Sequence, residues 1–143
     1  MQASQAEEEL YFSALRAQLC QAETLSFCEV SLEGVQPQPR DCHGNVDRYV
    51  KLNPQYHAMR GWLVRDEYTV IAHSVIYDPQ RRILCDITPL DFIPDITNPP
   101  RPQGKWHTMR FVQHRGTEKQ FSVLRTRYPE YSYIRAEDFS TVT

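Results

Sequence analysis

The chain of 143 residues has a hydrophobic fraction of 41%, a charged fraction of 24% and a formal net charge of -2. That length suits one ordinary domain that buries a core without disulfides or metal as obligatory staples, and the charge balance gives no pull toward nucleic acid or an anionic membrane. No run approaches the length of a spanning helix, and the start "MQASQAEEELYF" has neither the basic nor the apolar region of a signal peptide. A single domain over residues 1–143, residing in the cytoplasm, is therefore expected, with export by a signal-free route left open.

In chain order, "QAEEELYFSALRAQLCQAE" predicts an opening amphipathic helix, with acidic residues at its start and Leu10, Ala14 or Leu15, and Leu19 on the buried face. "LSFCEVSLEG" alternates Phe27, Glu29 and Ser31 with Cys28, Val30 and Leu32, which predicts a half-buried strand or extended edge. The two prolines of "VQPQPRD" oppose regular structure and lead the chain into a new element. There Asp41 is a good N-cap type, and Cys42, Val46 and Val50 fall at i, i+4 and i+8 on one face of a short helix that "NPQ" ends.

Cys42 thus stands in a first helical turn, where unpaired backbone N–H groups and the positive end of the helix dipole favour a thiolate over a thiol. The alternatives are a cysteine that packs under the helix start and a metal ligand. Cys20, Cys28 and Cys85 complete a set of four, expected to stay reduced in a chain of this size without a secretory signal.

"MRGWLVRDEY", "TVIAHSVIYD" and "RRILCDITP" predict three successive strands, rich in β-branched and aromatic residues. The second is apolar on both faces, so it is expected to be central and covered on both sides, and His73 within it needs a polar partner. If residues 78–81 form a four-residue turn, Tyr77 faces Arg82 and His73 faces Asp86, and facing residues point to the same side. A turn one residue longer puts His73 and Asp86 on opposite faces. Cys85, next to Asp86, is expected to point away from the site.

The C-terminal third opens with "PLDFIPDITNPPRPQGKWH", whose five prolines predict an ordered but irregular wrap that lines or gates a cleft. "TMRFVQH" predicts a further strand. In "GTEKQFSVLRTRY", Thr117 and Gln120 fit a capping box and Phe121, Leu124 and Tyr128 give helical spacing, and "YSYIRAEDF" predicts a last strand. His114 is a candidate second base at a strand end, where surface exposure is expected. The elements together predict an α+β fold: an N-terminal helix and the Cys42 helix packed on a mainly antiparallel sheet.

A thiol in a helix's first turn, a histidine on a central strand and a carboxylate on the next strand are the parts that nucleophilic acyl chemistry requires. Cys, then His, then Asp on those elements, 31 and 13 residues apart, resembles the papain-like superfamily in its broad sense and is most similar to the transglutaminase-like core. The likeness covers residues 36–89, with 90–143 outside it. It implies Cys42 as nucleophile, His73 as base and Asp86 as orienting carboxylate, with Gln36 or Gln38 in the place of an oxyanion-hole glutamine. "DCHGNV" departs from the aromatic-rich motif around a papain nucleophile.

Around these, His43 either binds substrate, tunes Cys42 or is solvated; Asn45 is expected to point outward; Trp62 either walls an acyl pocket or belongs to the core. No repeat, Gly-rich phosphate loop or cofactor motif occurs, and no cofactor is expected. The leading expectation is a thiol-dependent peptidase, amidase, deamidase or acyl transferase, acting on a protein, peptide or small amide or acyl compound through a thioester. The alternatives are a zinc-binding domain using Cys42, His43 and His73, or a non-catalytic module whose Pro-rich strip docks a protein partner.

Overall fold

The computed structural model describes residues 5–38, 41–66, 68–89 and 110–133. Its helices are α1 (Gln5–Ala17), α2 (Cys42–Leu52) and α3 (Glu118–Arg127), with a 3-10 turn at Leu19–Gln21. The strands are β1 (Glu23–Thr24), β2 (Ser26–Phe27), β3 (His57–Asp66), β4 (Thr69–Asp78), β5 (Ile83–Asp86), β6 (Arg110–Gln113) and β7 (Glu130–Ser132). They form one seven-stranded sheet in the order β1-β6-β3-β4-β5-β2, with β7 on β4. Every pairing is antiparallel except β2 with β5. The fold is α+β. Among the described residues no helix is long and apolar enough to cross a membrane, and the Pro-rich stretch after Pro89 lies outside them.

The alternation in "TVIAHSVIYD" places Val70, Ala72, Ser74 and Ile76 on one face of β4 and Ile71, His73, Val75 and Tyr77 on the other. The first face is covered by helices: Phe12 and Leu15 of α1 with Phe121 and Leu124 of α3 close over Trp62, Val70, Ala72 and Val112. Further along, Val46 of α2 packs on Ile76, Cys85 and Ile87. The second face carries its own apolar cluster of Leu25, Leu63, Val75, Leu84 and Phe111, so β4 is covered on both sides, as its composition predicts.

β3 runs along one edge of β4 for nearly its whole length. The other edge is shared: β7 pairs residues 69–71 and β5 pairs residues 76–78. Between them, residues 72–75 are in neither ladder, although the Ala72 N–H still donates to the Pro129 carbonyl. His73 and Ser74 occupy this break, and the first turn of α2 meets it.

Three expectations are corrected. The α1 stripe is rotated: Leu10 is 70% exposed and Ala14 is exposed, while Glu8, Phe12 and Leu15 are buried, because α3 and the Trp62 face of the sheet dictate which side turns inward. Arg127 of α3 reaches Glu8 as an ion pair. "LSFCEVSLEG" is a pair of two-residue strands followed by an isolated Leu32–Val35 bridge rather than one strand. Finally, the β4–β5 turn begins one residue later than predicted. The Asp78 carboxylate accepts the N–H groups of Gln80 and Arg81, Arg82 takes a left-handed φ of 58°, and Asp78 faces Ile83.

Candidate active site

Cys42 is the first residue of α2 and is 8% exposed. Asp41 occupies the cap position, but its side chain makes no capping hydrogen bond; its carboxylate takes Arg48 at 3.1 Å and its carbonyl accepts the Asn45 N–H. The helix-start position of the thiol therefore holds, without the side-chain cap that the sequence suggested. Val46 behind it anchors the turn to the sheet.

His73 does not face Asp86 directly. The observed register pairs Ile76 with Cys85, so Asp86 lies across from Val75 and two residues along from His73. A shift of two keeps both side chains on the same face, and His73 Nε2 meets Asp86 Oδ2 at 2.9 Å. Asp86 is fully buried, and its other oxygen accepts the Thr88 N–H at 3.1 Å. This carboxylate is held rigidly at the imidazole, as an orienting group must be.

The thiol interacts with both His43 and His73. Burial pushes the Cys42 thiol up, but the stabilisation of the thiolate by His43 and His73, with the positive charge of His73 behind it, outweighs burial and holds the thiol at about 6. Burial would push the His73 imidazole down, yet the Asp86 carboxylate, through its charge and its hydrogen bond, and the thiol raise it to about 10. The two titrations belong to one pair, which between those limits is a thiolate and an imidazolium. Such a pair has a nucleophile ready and a proton to give.

His43 is half-buried rather than solvated. Its Nδ1 lies 2.5 Å from Ser74 Oγ, and its ring stands edge-on to Phe121. Asn45, expected to point outward, is fully buried. Its amide nitrogen donates to the Gln38 carbonyl and to Thr88 Oγ1, and its oxygen accepts the Gln38 N–H and Arg48. Asn45 thereby ties the loop before α2 to the residue whose backbone holds Asp86. Both glutamines are exposed, and Gln38 Nε2 donates to the Gln36 carbonyl.

Trp62 is core and not a pocket wall, since it is fully buried and its indole donates to Tyr11 Oη. His114 is buried instead of exposed. Tyr11 Oη, already an acceptor from Trp62, meets His114 Nδ1 at 2.7 Å, and His114 Nε2 donates to the Thr117 carbonyl. Burial lowers its pKa, and both ring nitrogens are engaged in closing the α1–β6–α3 core. Cys85 points away from the site, as expected, toward Val46 and Cys28; burial foremost, and Cys28 next, push its thiol up to about 12. A pocket of about 340 Å³ lies at the other end of α2, lined by Leu32, Glu33, Arg48, Lys51 and Leu52.

Among the described residues no group of three or more His, Cys, Asp or Glu side chains is arranged to hold a metal ion, so the zinc reading of Cys42, His43 and His73 draws no support from their arrangement. No family model, curated protein or solved structure matches the chain.

The residues that sequence reasoning missed are Asn45, Ser74, Arg60 and Thr88. Ser74 left a signal, as the lone hydroxyl on the face of β4 that otherwise carries Val70, Ala72 and Ile76. A buried hydroxyl there requires a partner.

Proposed function

We propose that the chain is a thiol-dependent enzyme acting on an amide or acyl bond, with Cys42 as nucleophile, His73 as proton carrier and Asp86 as the carboxylate that orients it. On this reading it is a member of the papain-like superfamily in the broad sense, most similar to a transglutaminase-like core. The observation that carries the proposal is the buried His73–Asp86 hydrogen bond of 2.9 Å beside a thiol held at about 6 at the start of a helix.

The thiolate attacks the carbonyl carbon, forming a C–S bond while the carbonyl π pair moves to oxygen. Collapse of this adduct breaks the bond to the leaving amine, which takes the His73 proton. His73, now neutral, removes a proton from water or an acceptor amine as it attacks the thioester. Expulsion of the thiolate restores the starting ion pair. Asp86 stabilises the imidazolium and keeps Nδ1 and Nε2 in fixed roles without taking the proton itself.

The experiment is turnover of a panel of peptide, glutamine-side-chain and small amide substrates, with wild type and Cys42→Ala compared after matched circular dichroism. The proposal expects turnover by wild type alone; activity retained by a folded Cys42→Ala protein contradicts it.

A further inference from the structure

His73 has its carboxylate, but Cys42 has a second imidazole, and the groups behind that one form a separate relay. Arg60 on β3 is fixed by Asp47 of α2 at 2.5 Å and by Glu118 of α3 at 3.1 Å. Its Nη1 donates to Ser74 Oγ at 2.8 Å. Arginine has donors only, so Ser74 Oγ is an acceptor in that bond. That bond takes one of the two lone pairs of Ser74 Oγ, and the hydroxyl proton is assigned to its other partner, His43 Nδ1, at 2.5 Å. A neutral imidazole that accepts at Nδ1 carries its proton on Nε2. With Nδ1 engaged, Nε2 is the nitrogen left for the adjacent Cys42 sulfur, whose thiolate form His43 favours.

We propose that His43 is a second catalytic residue: a hydrogen-bond donor through Nε2–H to the Cys42 sulfur, with its tautomer set by Ser74 and Arg60 as positioning residues on the opposite face of the sheet from His73. The break in the β4 edge at residues 72–75 makes this arrangement accessible, because the first turn of α2 meets consecutive strand residues that point to opposite faces. The inference deepens the thiol-enzyme reading and rests on it for its mechanistic meaning, although the tautomer itself is independent of any reaction. His43 exchanges no proton in the cycle. When His73 gives its proton to the leaving amine, the sulfur keeps one N–H donor, and that donor again stabilises the thiolate as it is expelled from the thioester.

Among the described residues, the charged and titratable groups linked to Cys42 and its two histidines include His43 and Asp47 on α2, Arg60 on β3, His73 on β4, Asp86 on β5 and Glu118 on α3, with the Asp41–Arg48 pair at the cap of the same helix. They separate the two histidines by experiment, because Asp86 hydrogen-bonds to His73 and Ser74 to His43.

Two-bond ¹⁵N–¹H correlation of the full chain labelled with ¹⁵N-histidine reads each ring's tautomer, with the His43 signals assigned by their loss in His43→Gln. The proposal expects the Nε2–H form for His43 in wild type and a shift toward the Nδ1–H form in Ser74→Ala, with the other histidine signals unmoved. An Nδ1–H tautomer in wild type, or a tautomer unchanged in Ser74→Ala, overturns it. Alongside this, the rate of Cys42 alkylation by iodoacetamide at pH 6 is expected to fall about fivefold in His43→Phe, from the smaller thiolate fraction left by an upward shift of about one pKa unit, and to be largely rescued in His43→Gln, whose amide places an N–H near the Nε2 position. An alkylation profile in His43→Phe identical to wild type removes the catalytic role. Those failures leave the His73 branch intact, whereas an ordinary thiol profile in wild type removes the underlying enzyme reading as well.

Discussion

The proton count at Cys42 and His73 fixes the pH window of the site. On the proposed reading, a thiol held at about 6 and an imidazole held at about 10 should make kcat/KM rise as pH increases through about 6, where the thiolate forms, and fall above about 10, where the imidazolium loses the proton needed by the leaving group. Asp86→Asn removes the charge that raises His73 and presents an amide that can donate to the ring, reversing its polarity. Turnover should fall on the order of 10³-fold or more, and the upper limb of the profile should move to lower pH. A profile with the same upper limb in Asp86→Asn would mean that the carboxylate does not govern the imidazole.

At the scale of elements, the site depends on how closely the strands around β4 approach. Gly61 of β3 lies opposite His73, and a Cβ there would come within 2.3 Å of the Val112 carbonyl oxygen and 2.5 Å of the Phe111 ring. The backbone oxygen cannot swing aside, so Gly61→Ala must push β6 from β3, at a cost of about 1–3 kcal/mol. Thermal unfolding should register a drop of several degrees, on the order of 2–4 °C per kcal/mol for a chain of this size; an unchanged Tm contradicts the packing described. The elements themselves were legible from local pattern. "TVIAHSVIYD" forms β4 with its expected bounds, and Phe121, Leu124 and the Thr117 cap mark α3. The candidate site was half legible, because Cys42, His73 and Asp86 lie on three regular elements. The turn at Asp78 moved the register by two, a shift that alters which residues face one another yet preserves the face they share. What could not be read is whatever depends on distant partners. Leu10 and Phe12 are equally good helix-face residues until α3 and Trp62 choose between them, and Asn45 is an ordinary helix-surface amide until Thr88, 43 residues away, comes under it.

For the whole molecule, the same two shifts link the site to stability. His73, raised from 6.5 to about 10, contributes stability that is complete below 6.5 and is lost as pH rises toward 10. Cys42, lowered from 9.0 to about 6, contributes stability that is complete above 9 and is lost as pH falls through 6. Between 6.5 and 9 the two slopes cancel, because the native ion pair and the unfolded thiol and neutral imidazole bind equal numbers of protons. Cys42→Ala breaks the cancellation and leaves His73, still raised by Asp86, to lose its contribution as pH increases. In urea unfolding the wild type should therefore gain on Cys42→Ala by up to about 1 kcal/mol per pH unit above 6.5; a difference independent of pH contradicts the linkage. The measurement that tests the account most directly is the rate of Cys42 alkylation by iodoacetamide against pH in wild type and His73→Ala, with the modified residue located by mass spectrometry. The account predicts a plateau in wild type that extends down to about pH 6 and is lost in His73→Ala. A wild-type profile that rises only through the ordinary thiol range of about 8.5, unchanged by the substitution, would contradict it.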